Sequence, residues 1–101
     1  MKTLEELQST DFVPYLNQVF KIRLERMEPI ELELVLVTEG RTAFRPGARQ
    51  PFALHFLGPE SSNYLLQHIY RLEHPEMGAL DIFLVPRGLQ AGRMRYEAIF
   101  G

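Results

Sequence analysis

The chain has 101 residues, which suits one compact domain with one hydrophobic core rather than two. Apolar residues make up 46% of it and charged residues 24%, a globular balance unlike that of a disordered chain, and a net charge of -2 gives no field that would draw nucleic acid or an acidic membrane. The lack of cysteine removes disulfides, thiolate nucleophiles and thiolate-held metal sites together and favours a reducing compartment.

At the N-terminus, Thr3 and Glu6 form a capping-box pattern that predicts a short helix from Leu4 to Gln8. Glu5 and Glu6 stand where a signal peptide would need an apolar run, and no stretch approaches the ~20 apolar residues of a membrane span, so the expected location is the cytoplasm. Ser9-Thr10-Asp11 is a second start signal. Pro14 is tolerable only in a first turn and Asn17 suits a left-handed C-terminal position, so one or two helical turns are expected here.

From Phe20 the period changes to two, the signature of strands with one face toward a core. Phe20, Ile22 and Leu24 alternate with Lys21, Arg23 and Glu25. Ile30, Leu32, Leu34 and Leu36 alternate with Glu31, Glu33, Val35 and Val37 after a turn at Glu28-Pro29. Opposite charges across this hairpin favour pairing Arg23 with Glu31 and Lys21 with Glu33. The stretch from Thr38 to Gln50, with Arg41, Arg45, Arg49 and Pro46-Gly47, reads as a mobile surface loop. A third strand carries Phe52, Leu54 and Phe56 and stops at Gly58-Pro59.

Strand four runs from about Leu66 to His74 and strand five from Ala79 to Val85, joined by Pro75-Glu76-Met77-Gly78. A four-residue loop would set Leu72 against Asp81. A register shifted by one, with a glycine bulge near Gly78, instead pairs Leu72 with Leu80, Tyr70 with Ile82 and Arg71 with Asp81, and is the one expected. Pro86-Arg87-Gly88 closes strand five, Gly88 to Gly92 forms a hairpin loop, and strand six runs from Arg93 to Phe100. The fold expected is mainly β, about six antiparallel strands in a small barrel or sandwich with a short N-terminal helical segment.

No catalytic constellation emerges. His68 and His74 share a strand face but stand six residues apart, about 20 Å at strand rise, too far for one metal ion. His55 points away from the Phe52-Leu54-Phe56 face, so no metal site is expected. Glu73 and His74 are adjacent and point to opposite faces, which prevents the carboxylate from orienting the imidazole. Ser9, Ser61 and Ser62 lie in loop or cap contexts without a nucleophile turn. Gly88 to Gly92 lacks the order of a phosphate-binding loop, and the sequence calls for no cofactor. The Arg41, Arg45 and Arg49 loop with Phe44 could meet phosphate, yet Glu39 and the acidic balance of the chain make nucleic acid an unfavoured partner.

Several strands are apolar on both faces. Val35, Val37, Leu57, Ile69, Phe83, Val85 and Ile99 oppose the core residues, and a helix as short as Leu4 to Gln8 covers only part of such a surface. The expectation is self-association or a protein partner.

The run Gln67-His68-Ile69-Tyr70-Arg71-Leu72-Glu73-His74-Pro75-Glu76-Met77-Gly78, followed by Leu80 to Pro86 and by Arg95-Tyr96-Glu97-Ala98-Ile99-Phe100, resembles a family of small bacterial domains of unknown function. Asp11-Phe12, Leu16-Asn17, Phe20 and Phe52-x-Leu54-x-Phe56-x-Gly58-Pro59 extend the resemblance over nearly the whole chain. It assigns no catalytic residue and implies an accessory or assembly role beside phage-tail-like collar proteins. The leading expectation is therefore a non-catalytic interaction or assembly domain. Its rival is a small-molecule-binding or enzymatic barrel whose polar groups would be His68, Tyr70, His74 and Tyr96.

Overall fold

The computed structural model describes residues 3–25, 27–40, 50–61 and 64–101. Six strands, β1 (Val19–Ile22), β2 (Ile30–Glu39), β3 (Phe52–Glu60), β4 (His68–His74), β5 (Gly78–Gln90) and β6 (Arg93–Phe100), follow a short α1 (Ser9–Phe12) and a 3-10 turn (Val13–Tyr15). They close into a barrel in the order β1-β2-β3-β6-β5-β4, with every neighbouring pair antiparallel. The fold is thus the expected all-β one, and a barrel rather than a sandwich.

Alternation builds the core. Phe20, Ile22, Leu32, Leu34, Leu54, Phe56, Leu72, Ile82, Leu84 and Tyr96 point inward from all six strands and are buried together. Interdigitated side chains fill the interior of a barrel this narrow, as the geometry of small barrels requires. Gly58 belongs to that packing: a Cβ there would come within 3.2 Å of the Tyr96 ring. The third strand therefore continues through Gly58-Pro59 to Glu60, past the point where the sequence signals a break, with an irregular register between Leu57 and Glu60. Arg93 secures this irregularity by donating to the carbonyls of Gly58 (2.6 Å) and Leu57 (3.4 Å) and to Glu33 Oε1 (3.2 Å).

Two further corrections come from bulges. In β2 the register slips between Leu34 and Leu36, so Leu36 turns outward, 49% exposed, while Val37 packs against the core; strict alternation assigns these two the opposite way. Thr38 and Glu39 continue β2 instead of opening the expected loop, and 41–49 of that loop lie outside the described residues. In β5 a shift between Pro86 and Gly88, with Gly88 at φ 132, lets the strand run on to Gln90. Proline is tolerated at such a point because a bulge interrupts the hydrogen-bond ladder. The hairpin loop then shrinks to Ala91-Gly92, both with positive φ (51 and 79), the pattern of a two-residue turn matched to strand twist.

The hairpin registers divide. Between β4 and β5 the expected pairing occurs throughout, with Arg71 opposite Asp81, Leu72 opposite Leu80 and Gly78 at φ 79. Between β1 and β2 it does not: Lys21 faces Glu31 and Val19 faces Glu33, two residues away from the pairing of Arg23 with Glu31. Barrel closure supplies the reason. Arg23 donates to Glu73 of β4 at 2.6 Å, across the seam where Lys21 and Ile22 pair with Glu73 and Leu72. A partner distant in sequence thus took the arginine that local pairing had assigned to Glu31.

The N-terminal segment plugs the end of the barrel where β3 begins and β6 ends. The Thr3 N–H donates to Glu6 as the capping box requires, yet only a turn follows; the helix itself starts at Ser9, with the Gln8 N–H donating to Asp11 at 2.8 Å. Phe12 is fully buried, its ring 5.8 Å from both Phe52 and Phe100, which stack on each other at 4.6 Å. Asn17, at φ 68, reverses the chain, and its N–H donates to the Leu34 carbonyl. Replacing Phe12→Ala should cost about 3–5 kcal/mol, the range for deleting a buried phenyl ring. Urea unfolding checks this, and a loss below 1 kcal/mol would mean that the plug lies outside the cooperative unit.

Candidate functional site

The four polar residues singled out from sequence do not converge on one cavity. His74 is buried at the plugged end, its ring between Tyr15 (4.6 Å) and Phe20 (4.8 Å). Its Nδ1 accepts from the N–H groups of Glu76 and Met77 at 3.1 and 3.3 Å, which places the proton on Nε2, 2.7 Å from the Gln18 Oε1 that accepts it. Every ring atom able to do chemistry is thus engaged in holding the β4–β5 turn against the segment that enters β1. His68 sits at the opposite end of β4, exposed, with its ring edge-on to Tyr70 at 5.5 Å.

Tyr70 and Tyr96 do come together, through the backbone that leads into β4. The Tyr70 hydroxyl donates to the Leu66 carbonyl at 2.6 Å, and the Tyr96 hydroxyl accepts from the Leu65 N–H at 2.8 Å. Burial pushes both phenols above their ordinary value; for Tyr96 the Leu65 N–H opposes part of that rise. These are bonds of a latch, and a shallow surface pocket of about 400 Å³ beside it is lined by Leu24, Met27, Ile30, Pro59, Ser61, Tyr64, Leu65 and Tyr96.

One polar cluster escaped the sequence reading because only the register across β2, β3 and β6 creates it. On the outer face, His55 Nε2 lies 3.2 Å from Thr38 Oγ1, and His55 Nδ1 lies 4.0 Å from Glu97 Oε2, while Arg87 Nε approaches the other carboxylate oxygen at 3.6 Å. A hydroxyl, an imidazole and a carboxylate in line are the parts of a nucleophile relay. The contact to Glu97 is too long for a hydrogen bond, however. Among the described residues no group of three or more His, Asp or Glu side chains could hold a metal ion. The arginines 41, 45 and 49, and Ser62, lie outside the described residues.

The outer surface carries a more distinctive feature. Of the apolar residues opposing the core, Leu57 is buried and Val35, Val37 and Val85 are partly covered, whereas Ile69, Phe83 and Ile99 remain 57%, 47% and 73% exposed. Ile69 and Phe83 are direct cross-strand partners. The β5–β6 ladder begins only at Val85 and Glu97, so Phe83 and Ile99 face each other across strands that have begun to part. There a depression of about 260 Å³ opens, lined by Leu4, Ile69, Phe83 and Ile99 among others. An ion pair borders the row on each side: Arg71 with Asp81 at 3.1 Å, and Arg87 with Glu97 at 3.6 Å.

The raised tyrosines carry a pH dependence whose sign follows from linkage. A phenol held neutral in the fold ionises later than in the unfolded chain, so its stabilising contribution is intact below about pH 10 and declines as pH rises toward the folded value. Tyr96→Phe should cost roughly 0.5–1.5 kcal/mol at pH 7 through loss of the Leu65 bond and should flatten the alkaline decline relative to the parent protein. Urea midpoints measured between neutral and strongly alkaline pH test this, and parallel profiles for the two proteins would contradict it.

Comparison with known proteins places these features in a family without assigning them a role. No curated protein and no solved structure matches the chain. Residues 7–100 match the family model described as a domain of unknown function, DUF6916. That span runs from the buried Leu7 of the plug to the end of β6 and takes in all six strands, so the chain belongs to the DUF6916 family.

Proposed function

We propose that this chain is a non-catalytic protein-interaction domain that meets its partner through the outer face of β4, β5 and β6. The observation that carries the reading is the exposed row Ile69, Phe83 and Ile99, three large apolar side chains on adjacent strands. Isolated exposed hydrophobics need no explanation, but a contiguous patch rimmed by charges is the common form of a contact site. The interior supports the same reading. A barrel that encloses a ligand needs a cavity, and this one is filled by its own side chains, with the polar candidates His74, Tyr70 and Tyr96 committed to backbone and side-chain partners. That weighs against the small-molecule or enzymatic alternative.

Among the described residues no helix is long and apolar enough to cross a membrane. The cysteine-free composition suits a cytoplasmic setting, and the bacterial, tail-like context implied by the sequence resemblance is one in which a small adaptor would serve assembly. A photo-crosslinking residue placed at Phe83, in cells that carry the native chain, should give discrete protein adducts. The same residue at Glu31, exposed on β2, should give none. Equal labelling from both positions, or no adduct from position 83, would count against the interaction face.

A further inference from the structure

Resting on that reading, we infer that the occupant of the β4–β5–β6 face is a second copy of this chain, paired face to face about a two-fold axis. Self-complementarity is the first argument. A two-fold interface uses one patch twice, so the patch must hold both a recess and a projection that fits it. Here Ile99, the most exposed aliphatic side chain of the sheet, projects beside a depression of about 260 Å³. That depression is the recess, and Ile99 beside it is the projection.

Charge is the second argument. The Arg71–Asp81 and Arg87–Glu97 pairs each carry one positive and one negative group, and Glu5 adds a carboxylate at the depression, so both signs stand on the rim. Two identical faces therefore meet without the like-charge repulsion that a one-signed rim would impose, and a strongly charged partner gains nothing from it. Area is the third. The apolar row offers three large side chains that are 57%, 47% and 73% exposed, a part of the about 800 Å² per partner in a standard interface. An apolar centre of that size with a charged rim supplying the remainder is the ordinary anatomy of such a contact.

Sedimentation of the purified full chain over a concentration series tests the inference. The parent protein should approach twice the 11.7 kDa chain mass as concentration rises. Ile99→Asp should remain monomeric at every concentration, and Leu89→Asp, an equally exposed position near the tip of the β5–β6 hairpin, should still dimerise. Ile69→Asp is the second variant and should behave as Ile99→Asp does; far-ultraviolet dichroism establishes that each variant is folded. A parent protein still monomeric near about 1 mM, or a dimer that survives both substitutions on the face, would overturn the proposal. If the parent is monomeric while crosslinks from position 83 have a mass other than a second copy, the dimer is refuted and the interaction reading stands. If position 83 gives no protein adduct, both fall.

Discussion

Six strands form a barrel only when the first is brought against a strand far along the chain, and here β1 reaches β4 through two residue pairs, Lys21 with Glu73 and Ile22 with Leu72. Every other seam is longer. Backbone pairing at this junction is too short to hold by itself, so side chains reinforce it from both ends: Arg23 binds Glu73 across it, and His74, one residue beyond, is clasped by Gln18, one residue ahead of β1. The Arg23–Glu73 pair is substantially exposed and contributes little as an ion pair. The His74 contact is of another kind, because the ring is buried between two aromatics and satisfied at both nitrogens. Loss of that ring would remove the partner shared by the turn N–H groups and the Gln18 side chain.

This constraint explains why the residues that looked chemical are structural. A histidine and two tyrosines on the inner face of a small barrel are candidates for a site only if space remains around them. Closure brings the strands near enough that space disappears, and the polar atoms find backbone partners at either end of the barrel. The apolar surplus had no such outlet. Ile69, Phe83 and Ile99 point away from the filled interior beside the place where β5 has left β6, and although Leu4 of the plug lines the depression with them they stay 57%, 47% and 73% exposed.

Local chemistry was enough to read the strand alternation, the β4–β5 register and the left-handed Asn17, since each depends on residues close together in the chain. Arg71 with Asp81 and Leu72 with Leu80 could be matched because the turn between them admits few registers. The Arg23 pairing failed for the converse reason: its partner lies 50 residues away and is selected by barrel closure. Leu36 and Val37 exchanged faces because a bulge leaves no mark on a pattern of alternating apolar residues when both candidates are apolar. The Thr38–His55–Glu97 cluster was invisible on similar grounds, being assembled from three strands whose order, β2-β3-β6, is not sequential. The exposed row was legible as residue types but not as a patch, because adjacency across strands is a property of the sheet.

The brevity of the β1–β4 junction also bears on how this molecule fails. Where a barrel's strands are paired on both sides they offer no free edge, which protects them from adding further strands. Its two-pair seam joins segments 50 residues apart, so closing it carries the loop entropy of a distant contact for little backbone hydrogen bonding in return. Partial opening would begin there, since the other five seams can persist while this one parts. The opened species would keep most of its sheet and its filled inner layer, yet present unpaired edges on β1 and β4 beside newly wetted phenylalanine and leucine side chains. Such a species resembles a folded protein spectroscopically and a template for aggregation chemically, and the histidine clasp stands between the two.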